Sequence, residues 1–427
     1  MLDRTKAPEV YDIDTISLQQ GQVTNLPNGA NLHIIKSETQ PVIRLDFVFK
    51  AGKWYDQQLG VSDLTAKMLF EGTKSRTAKQ IAETIAFYGA SFESNHGYDR
   101  SEFTLYCLAK HVDELLPLVF DVLQNPSFPS QEFELLKERT IQGLKVQREK
   151  NNYLATHQIT KQIYGEQHPY IYGFDETAFD AISLEQIEAF YKQHFQVKGL
   201  EVFACGSIDD KTEQLLISGI SAMQSDEEII ATAPTYTINS ASNKYELVHM
   251  PESIQSSIRV GKQFPVIQHK DYLKLILLNE VLGGYFGSRL MRNIREDKGY
   301  TYGIHSAISP KETDTLFYIG TDVNSAVTAN TIEEIKKEIS LLQQEEIPED
   351  ELQTVKNYML GKFLNDINTI FDQCDRYKRL VLYRLPVDHY SNYVATIKHT
   401  TAQELLALAK QYLSVDDLYI SVAGPNS

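Results

Sequence analysis

Cysteine is scarce. The 427 residues hold three, Cys107, Cys205 and Cys374, far apart and with no Cys-x-x-Cys pair. That argues against a disulfide framework and fits a reducing compartment. Cys107 in SEFTLYCLA and Cys205 in LEVFACGSI lie in strand-like apolar runs and read as small core residues. Basic charge is in deficit: 41 Lys and Arg stand against 57 Asp and Glu, a formal net charge of −16. Gripping a phosphate backbone needs clustered cations, so nucleic-acid binding is not expected. A basic or neutral peptide substrate is compatible with the acidic balance. Long apolar runs are missing too. None approaches the ~18 residues that would suggest a membrane helix, and MLDRTKAPEVYDIDT has no apolar signal-peptide core. The expectation is a cytoplasmic protein with no membrane span, or a periplasmic one if a leader was removed.

What is present is the composition of a soluble globular protein, 42% hydrophobic and 23% charged. At roughly 100–200 residues per domain, the length suggests two domains. The chain repeats itself accordingly. Residues 103–138 and 316–357 each read as a strand, a long amphipathic helix, a short break and a new helix start. Val112, Leu115, Leu116, Val119 and Val122 follow helical spacing in the first, and Ile332, Ile335, Ile339 and Leu342 in the second. Both breaks place a proline at the next helix start, Pro129 and Pro348, where its missing N–H costs nothing. VIRLDFVFKAG (42–52) matches SSIRVGKQFP (256–265), and LEVFACGSID (200–209) matches LYISVAGP (418–425). Residues 226–243, polar and without helical period, read as a linker. The expected fold is α+β, with two homologous domains, 1–225 and 244–427. Each would be a mostly antiparallel sheet with helices packed on one face.

The stretch GVSDLTAKMLFEGT (60–73) reads as a helix. Val61, Leu64, Met68 and Leu69 make one apolar stripe, and Asp63 and Lys67 are i, i+4 partners. Five stretches carry a family likeness: GVSDLTAKMLFEGTKSRTAKQIAETIAFYGASFES, FPSQEFELLKER, HPYIYGFDETAFDAISLEQIEAFYKQHF, GGYFGSRLMRNIREDKGYTYGIHS and YLSVDDLYISVAGP. Over nearly its whole length the chain resembles the insulinase/pitrilysin family of zinc metallopeptidases, in the branch of mitochondrial processing peptidase and its bacterial relatives. Active members carry His-x-x-Glu-His on a helix before a Met-Leu-Phe-x-Gly-Thr run. Two imidazoles four residues apart grip one Zn²⁺, and the Glu deprotonates the metal-bound water. Here Met68 to Thr73 keep the run, but the His, Glu and His positions are Asp63, Ala66 and Lys67. The remaining acidic ligand is implied near 142–145, where Gln142, Gly143, Leu144 and Lys145 stand. No His-x-x-Glu-His or His-Glu-x-x-His occurs elsewhere. No metal is therefore expected in this chain. In the following strand, GASFESNHGYDR, Glu93 and His96 replace the Asn and Thr common in the family. His96, beside Asp99, reads as an ordinary surface histidine.

The second half departs less. In SRLMRNIREDKGYTYGI (288–304) the resemblance implies that Arg295 and Tyr302 act on substrate. Helical segments interrupted at Gly283–Gly287 would put Arg295 near a last helical turn. A turn at Asp297–Gly299 would lead into a strand bearing Tyr302. A phenol O–H and a guanidinium can stabilise the oxyanion that forms when a peptide bond is attacked. In the heterodimeric branch one subunit holds zinc and the other the Arg/Tyr pair. The resemblance thus implies a zinc-less subunit, inactive alone, that joins a zinc-bearing His-x-x-Glu-His homologue to degrade unfolded peptides. No cofactor is expected in this chain, and zinc is expected in the partner. Two alternatives stand beside it: a non-catalytic scaffold or core subunit of a larger complex, and a homodimer that binds peptides without cleaving them.

Overall fold

The computed structural model describes residues 18–224 and 234–425. Residues 1–17, on which the signal-peptide reading rests, and the 226–233 part of the linker lie outside the described residues. The first half carries strands β1 (Gln22–Asn25), β2 (Asn31–Lys36), β3 (Val42–Phe49), β4 (Ser91–His96), β5 (Ser101–Leu108) and β6 (Glu201–Gly206). Its helices are α1 (Val61–Met68), α2 (Ala78–Phe87), α3 (Val112–Gln124), α4 (Ser130–Arg148), α5 (Asn151–Tyr164), α6 (Leu184–His194) and α7 (Asp210–Ala222). The second half carries β7 (Tyr245–His249), β8 (Gln255–Phe264), β9 (Thr301–Pro310), β10 (Thr315–Asn324) and β11 (Tyr419–Gly424). Its helices are α8 (Tyr272–Asn279), α9 (Thr328–Gln344), α10 (Glu349–Asn365), α11 (Ile370–Leu382), α12 (His389–His399) and α13 (Ala402–Tyr412).

The repeat read from sequence is a repeat of topology. The strands form two sheets, ordered β1-β2-β6-β3-β5-β4 and β7-β11-β8-β10-β9. In each, one parallel pair, β2 with β6 or β7 with β11, precedes antiparallel pairs. In each, the last strand, β4 or β9, is an edge. This is the α+β architecture expected, because strands with one apolar face must bury it under helices. The apolar faces of α3 and α9 supply much of that cover: Leu115, Val119 and Val122 lie in one core, Ile335, Ile339 and Leu342 in the other. Pro129 and Pro348 directly precede the first residues of α4 and α10.

The opposite face of each sheet receives one helix from the other half, which the sequence does not announce. From the first half, α5 lies on β7, β8 and β11, burying Ile159, Ile163 and Tyr164 with Leu316 and Tyr419. From the second half, α11 lies on β6, burying Cys374 and Tyr377 with Ile35, Val48 and Cys205. A Thr369/Asp372 capping box starts α11. Its Lys378 then bonds the buried carboxylate of Asp46 at 3.0 Å, while Arg44 reaches Asp375 at 2.7 Å. The halves also meet at their hairpin tips, where Arg100 pairs with Glu312, and at the end of α5, where the Tyr164 hydroxyl donates to Asp314 at 3.0 Å.

Candidate functional site

Each half sets its candidate residues beside the edge strand of its own sheet: α1 against β4, and the segment 280–297 against β9. The start of α1 is built on a buried carboxylate. Gly60, at φ 104°, turns the chain where a side chain would strike Phe179. Asp56 then accepts the N–H groups of Gly60 (2.9 Å) and Ser62 (2.7 Å), neutralising donors that a helix N-terminus leaves free. Burial pushes the Asp56 carboxyl up to about 7 against those bonds. Nearby Lys53, also buried, donates to the carbonyls of Ile171 (2.7 Å) and Gly173 (2.6 Å) and lies 4.4 Å over the Phe174 ring. Burial brings its ammonium down to about 8.

The zinc-motif positions on α1 do not fit a metal. Lys67 donates to Asp63 Oδ2 at 2.7 Å, so an ammonium already occupies the carboxylate. Ala66 is fully buried and offers only a methyl group. On α4, which packs on α1, Leu144 is the residue of 142–145 that is buried, while Gln142, Gly143 and Lys145 are exposed. A zinc site needs three or four N, S or O donors converging at about 2 Å. These positions supply one carboxylate, already paired with an ammonium. Among the described residues no group of three or more His, Cys, Asp or Glu could hold a metal ion.

His96 departs from the expectation of a surface histidine. Its side chain is 12% exposed and turns onto α1, with Nε2 2.7 Å from Ser62 Oγ and Nδ1 3.7 Å from Asp63. Burial depresses the ring to about 4, against the pull of Asp63, so it is neutral at pH 7. Asp99 is engaged elsewhere, accepting from Tyr170 Oη and the Glu312 N–H. The alternation of β4 could have pointed to His96, since a strand packed under a helix turns every second residue toward it.

In the second half the helix breaks into two π-helical turns, Glu280–Gly284 and Met291–Asp297, with the glycine-rich interruption between them. Arg295 lies in the second, and Tyr302 follows at the start of β9. The structure leaves Arg295 half-buried and Tyr302 exposed, and no hydrogen bond joins them. The Arg295 guanidinium instead stacks 4.6 Å from the centroid of Phe286, itself 62% exposed. Tyr302 is 96% exposed. Among the described residues no carboxylate pairs with Arg295, whereas neighbouring Arg289 is locked to Glu351 at 2.9 Å. Sequence reasoning missed Phe286; its signal was an aromatic residue inside a glycine-rich break.

Residues 32–170 match the family profile described as insulinase (peptidase family M16), and residues 181–359 match the peptidase M16 inactive domain. A Bacillus subtilis protein named an uncharacterized zinc protease, YmxG, is 26% identical over 328 residues, covering 74% of this chain and 76% of the relative. A Helicobacter pylori protein named a non-peptidase homolog, YmxG, is 22% identical over 405 residues, 92% of each chain. The crystal structure of a peptidase M16 inactive domain from Pseudomonas fluorescens superposes with a TM-score of 0.86. It is 23% identical, and the match covers 95% of this chain and 98% of that one.

Proposed function

The chain belongs to the insulinase family, peptidase family M16, as a member without the zinc-binding residues, and from that premise we propose that it is the non-catalytic half of a two-subunit peptidase. Its partner would be a zinc-bearing homologue, and its substrates unfolded peptides. In this reading residues 1–225 are a degenerate peptidase domain and 244–427 the domain that contacts the scissile bond.

One asymmetry carries the reading. At the first-half site an ion pair, a methyl group and a leucine have taken the metal's place, so the helix is kept for packing alone. At the second-half site Arg295 is left unpaired by carboxylates and half-buried against Phe286, and Tyr302, on the strand that follows, is presented to solvent. An exposed phenylalanine stacked on a cation that has no carboxylate partner is the composition of an interface centre rather than of an ordinary surface. The partner's metal would supply the hydroxide that attacks the peptide. Tyr302 Oη and the Arg295 guanidinium would donate to the carbonyl oxygen as it gains charge, and Phe286 would hold the guanidinium plane in place. The exposed side of edge strand β4 could take an extended peptide by strand addition.

The test is co-expression with a zinc-bearing homologue, followed by peptide cleavage. The lone chain should be inert and the pair active. Arg295→Ala and Tyr302→Phe should each lower kcat of the pair by about 10²–10³, the usual cost of losing one oxyanion donor. A pair that assembles but stays inert, or variants that cleave at the parent rate, would refute the proposal.

A further inference from the structure

A cavity of about 220 Å³ opens among α8, α10, α11 and α12, and neither Arg295 nor Tyr302 lines it. One wall is aromatic. Phe363 stacks on Tyr390 with centroids 5.6 Å apart and leans on Tyr393 at 5.1 Å. The charges on the remaining walls are distributed unevenly. Arg376 is already paired with Asp366 at 3.1 Å. Arg379 is not: among the described residues no carboxylate bonds it. Beside it lies Tyr272, 2% exposed, whose buried hydroxyl faces the Arg379 guanidinium and has no other polar neighbour within hydrogen-bond distance.

The α8 side carries the opposite sign. Glu280 opens the π-helical turn, is about nine-tenths buried, and leaves Oε1 without a partner. A β-carbon at Gly284 would fall 2.3 Å from its other carboxyl oxygen, so the glycine makes room for this carboxyl group. Lys362, the cation facing Glu280, stands on the exposed rim, where water screens it. π-helical turns recur at functional sites because the extra residue re-aims a side chain. Buried polar groups are seldom left unpaired, and here Glu280 Oε1 lines the cavity without a partner while Arg379 faces it with no carboxylate.

We propose that this cavity binds a free α-amino acid with an apolar side chain. The carboxylate would lie on Arg379 and the Tyr272 hydroxyl, the ammonium on Glu280, and the side chain against Phe363 and Tyr390. A zwitterion with an apolar body answers all three features together. A simple anion would leave Glu280 without a partner, and a simple amine would leave Arg379. The site belongs to the lone chain and stands whether or not the chain joins a second subunit.

The test uses the full chain alone, with calorimetric titration and thermal melts in L-leucine, L-phenylalanine, leucinamide and N-acetylleucine. The two amino acids should bind and raise Tm as their concentration rises. The amide lacks the carboxylate and the acetylated form lacks the ammonium, so each should bind on the order of 10- to 100-fold more weakly. Arg379→Gln and Glu280→Gln should weaken L-leucine by similar factors while leaving the far-UV spectrum unchanged. The proposal is overturned if neither amino acid binds, if leucinamide and N-acetylleucine bind as well as leucine, or if both variants keep the parent affinity. The analogue series needs no variant, so it decides the matter even if a substitution impairs folding.

Discussion

Lys311, at the tip of the β9–β10 hairpin, allows a prediction opposite to the usual expectation for a lysine among aromatic rings. Its Nζ lies 5.1, 5.4 and 5.3 Å from the ring centroids of Tyr98, Tyr164 and Tyr170, and the residue is 4% exposed. A contact list would score three cation–π interactions linking the two halves. Burial nevertheless outweighs them. With Asp314 and Asp99 nearby, the ammonium is still depressed from 10.5 to about 8, so the charged form is about 3 kcal/mol worse off inside than the neutral one. Lys311→Met keeps an unbranched, flexible chain against the rings and removes the charge. The acids keep other partners: Asp314 accepts from Gln263 (2.6 Å) and Tyr164 (3.0 Å), and Asp99 from Tyr170 (2.7 Å). Near pH 7 the methionine variant should therefore be no less stable than the parent, and more stable by up to about 3 kcal/mol. The unfolded lysine keeps its proton up to its ordinary value, while the folded one releases it near 8. The parent should thus recover stability as pH rises from 8 toward 10.5, and the gap should close. Urea unfolding of both proteins at pH 7, 8.5 and 10 reads the difference directly and cancels the tyrosines common to both. A variant destabilised at pH 7, or a gap that does not change with pH, would refute the reasoning.

Two further outcomes follow from local geometry. His96 is held neutral down to about 4 by burial, while an unfolded histidine protonates near 6.5; the parent should lose stability between those values, and His96→Asn should remove up to about 3 kcal/mol of that loss in urea titrations at pH 7 and pH 4.5. Gly206 ends β6 at φ 116°, where a β-carbon would sit 2.1 Å from the Val42 carbonyl oxygen, so Gly206→Ala should cost at least about 2 kcal/mol. Gly89→Ala, at φ 59° with nothing within 4 Å, should cost only about 1 kcal/mol, and equal losses would discount the close approach.

Much of the architecture could be read in advance, and particular residues say why. Val112 to Val122 and Ile332 to Leu342 record the contrast between a wet and a dry helix face, which is local and periodic. The 42–52 and 256–265 strands alternate for the same reason, and they became β3 and β8 at matching positions in the two sheets. The stripe Val61, Leu64, Met68 and Leu69 is buried throughout, and the Asp63–Lys67 pair formed at 2.7 Å. Arg295 and Tyr302 came where helix, turn and strand signals put them, but Phe286, far enough along the chain to be overlooked, took the guanidinium.

Periodicity states that a face is buried and leaves open what buries it. Nothing in IFDQCDRYKRLVL says that α11 crosses to the sheet of the opposite half, or that Cys374 ends beside Cys205. Nothing near Lys311 says that three tyrosines from 98 to 170 enclose it. Residue types and their spacing were enough to mark several of the helices and strands, and to decide that the fold is doubled and that no zinc motif survives. Which helix covers which sheet, which charges lose their water and which polar groups are left facing a cavity depend on contacts hundreds of residues apart. Those contacts are set by how the whole chain closes around its two cores, and no local pattern encodes that.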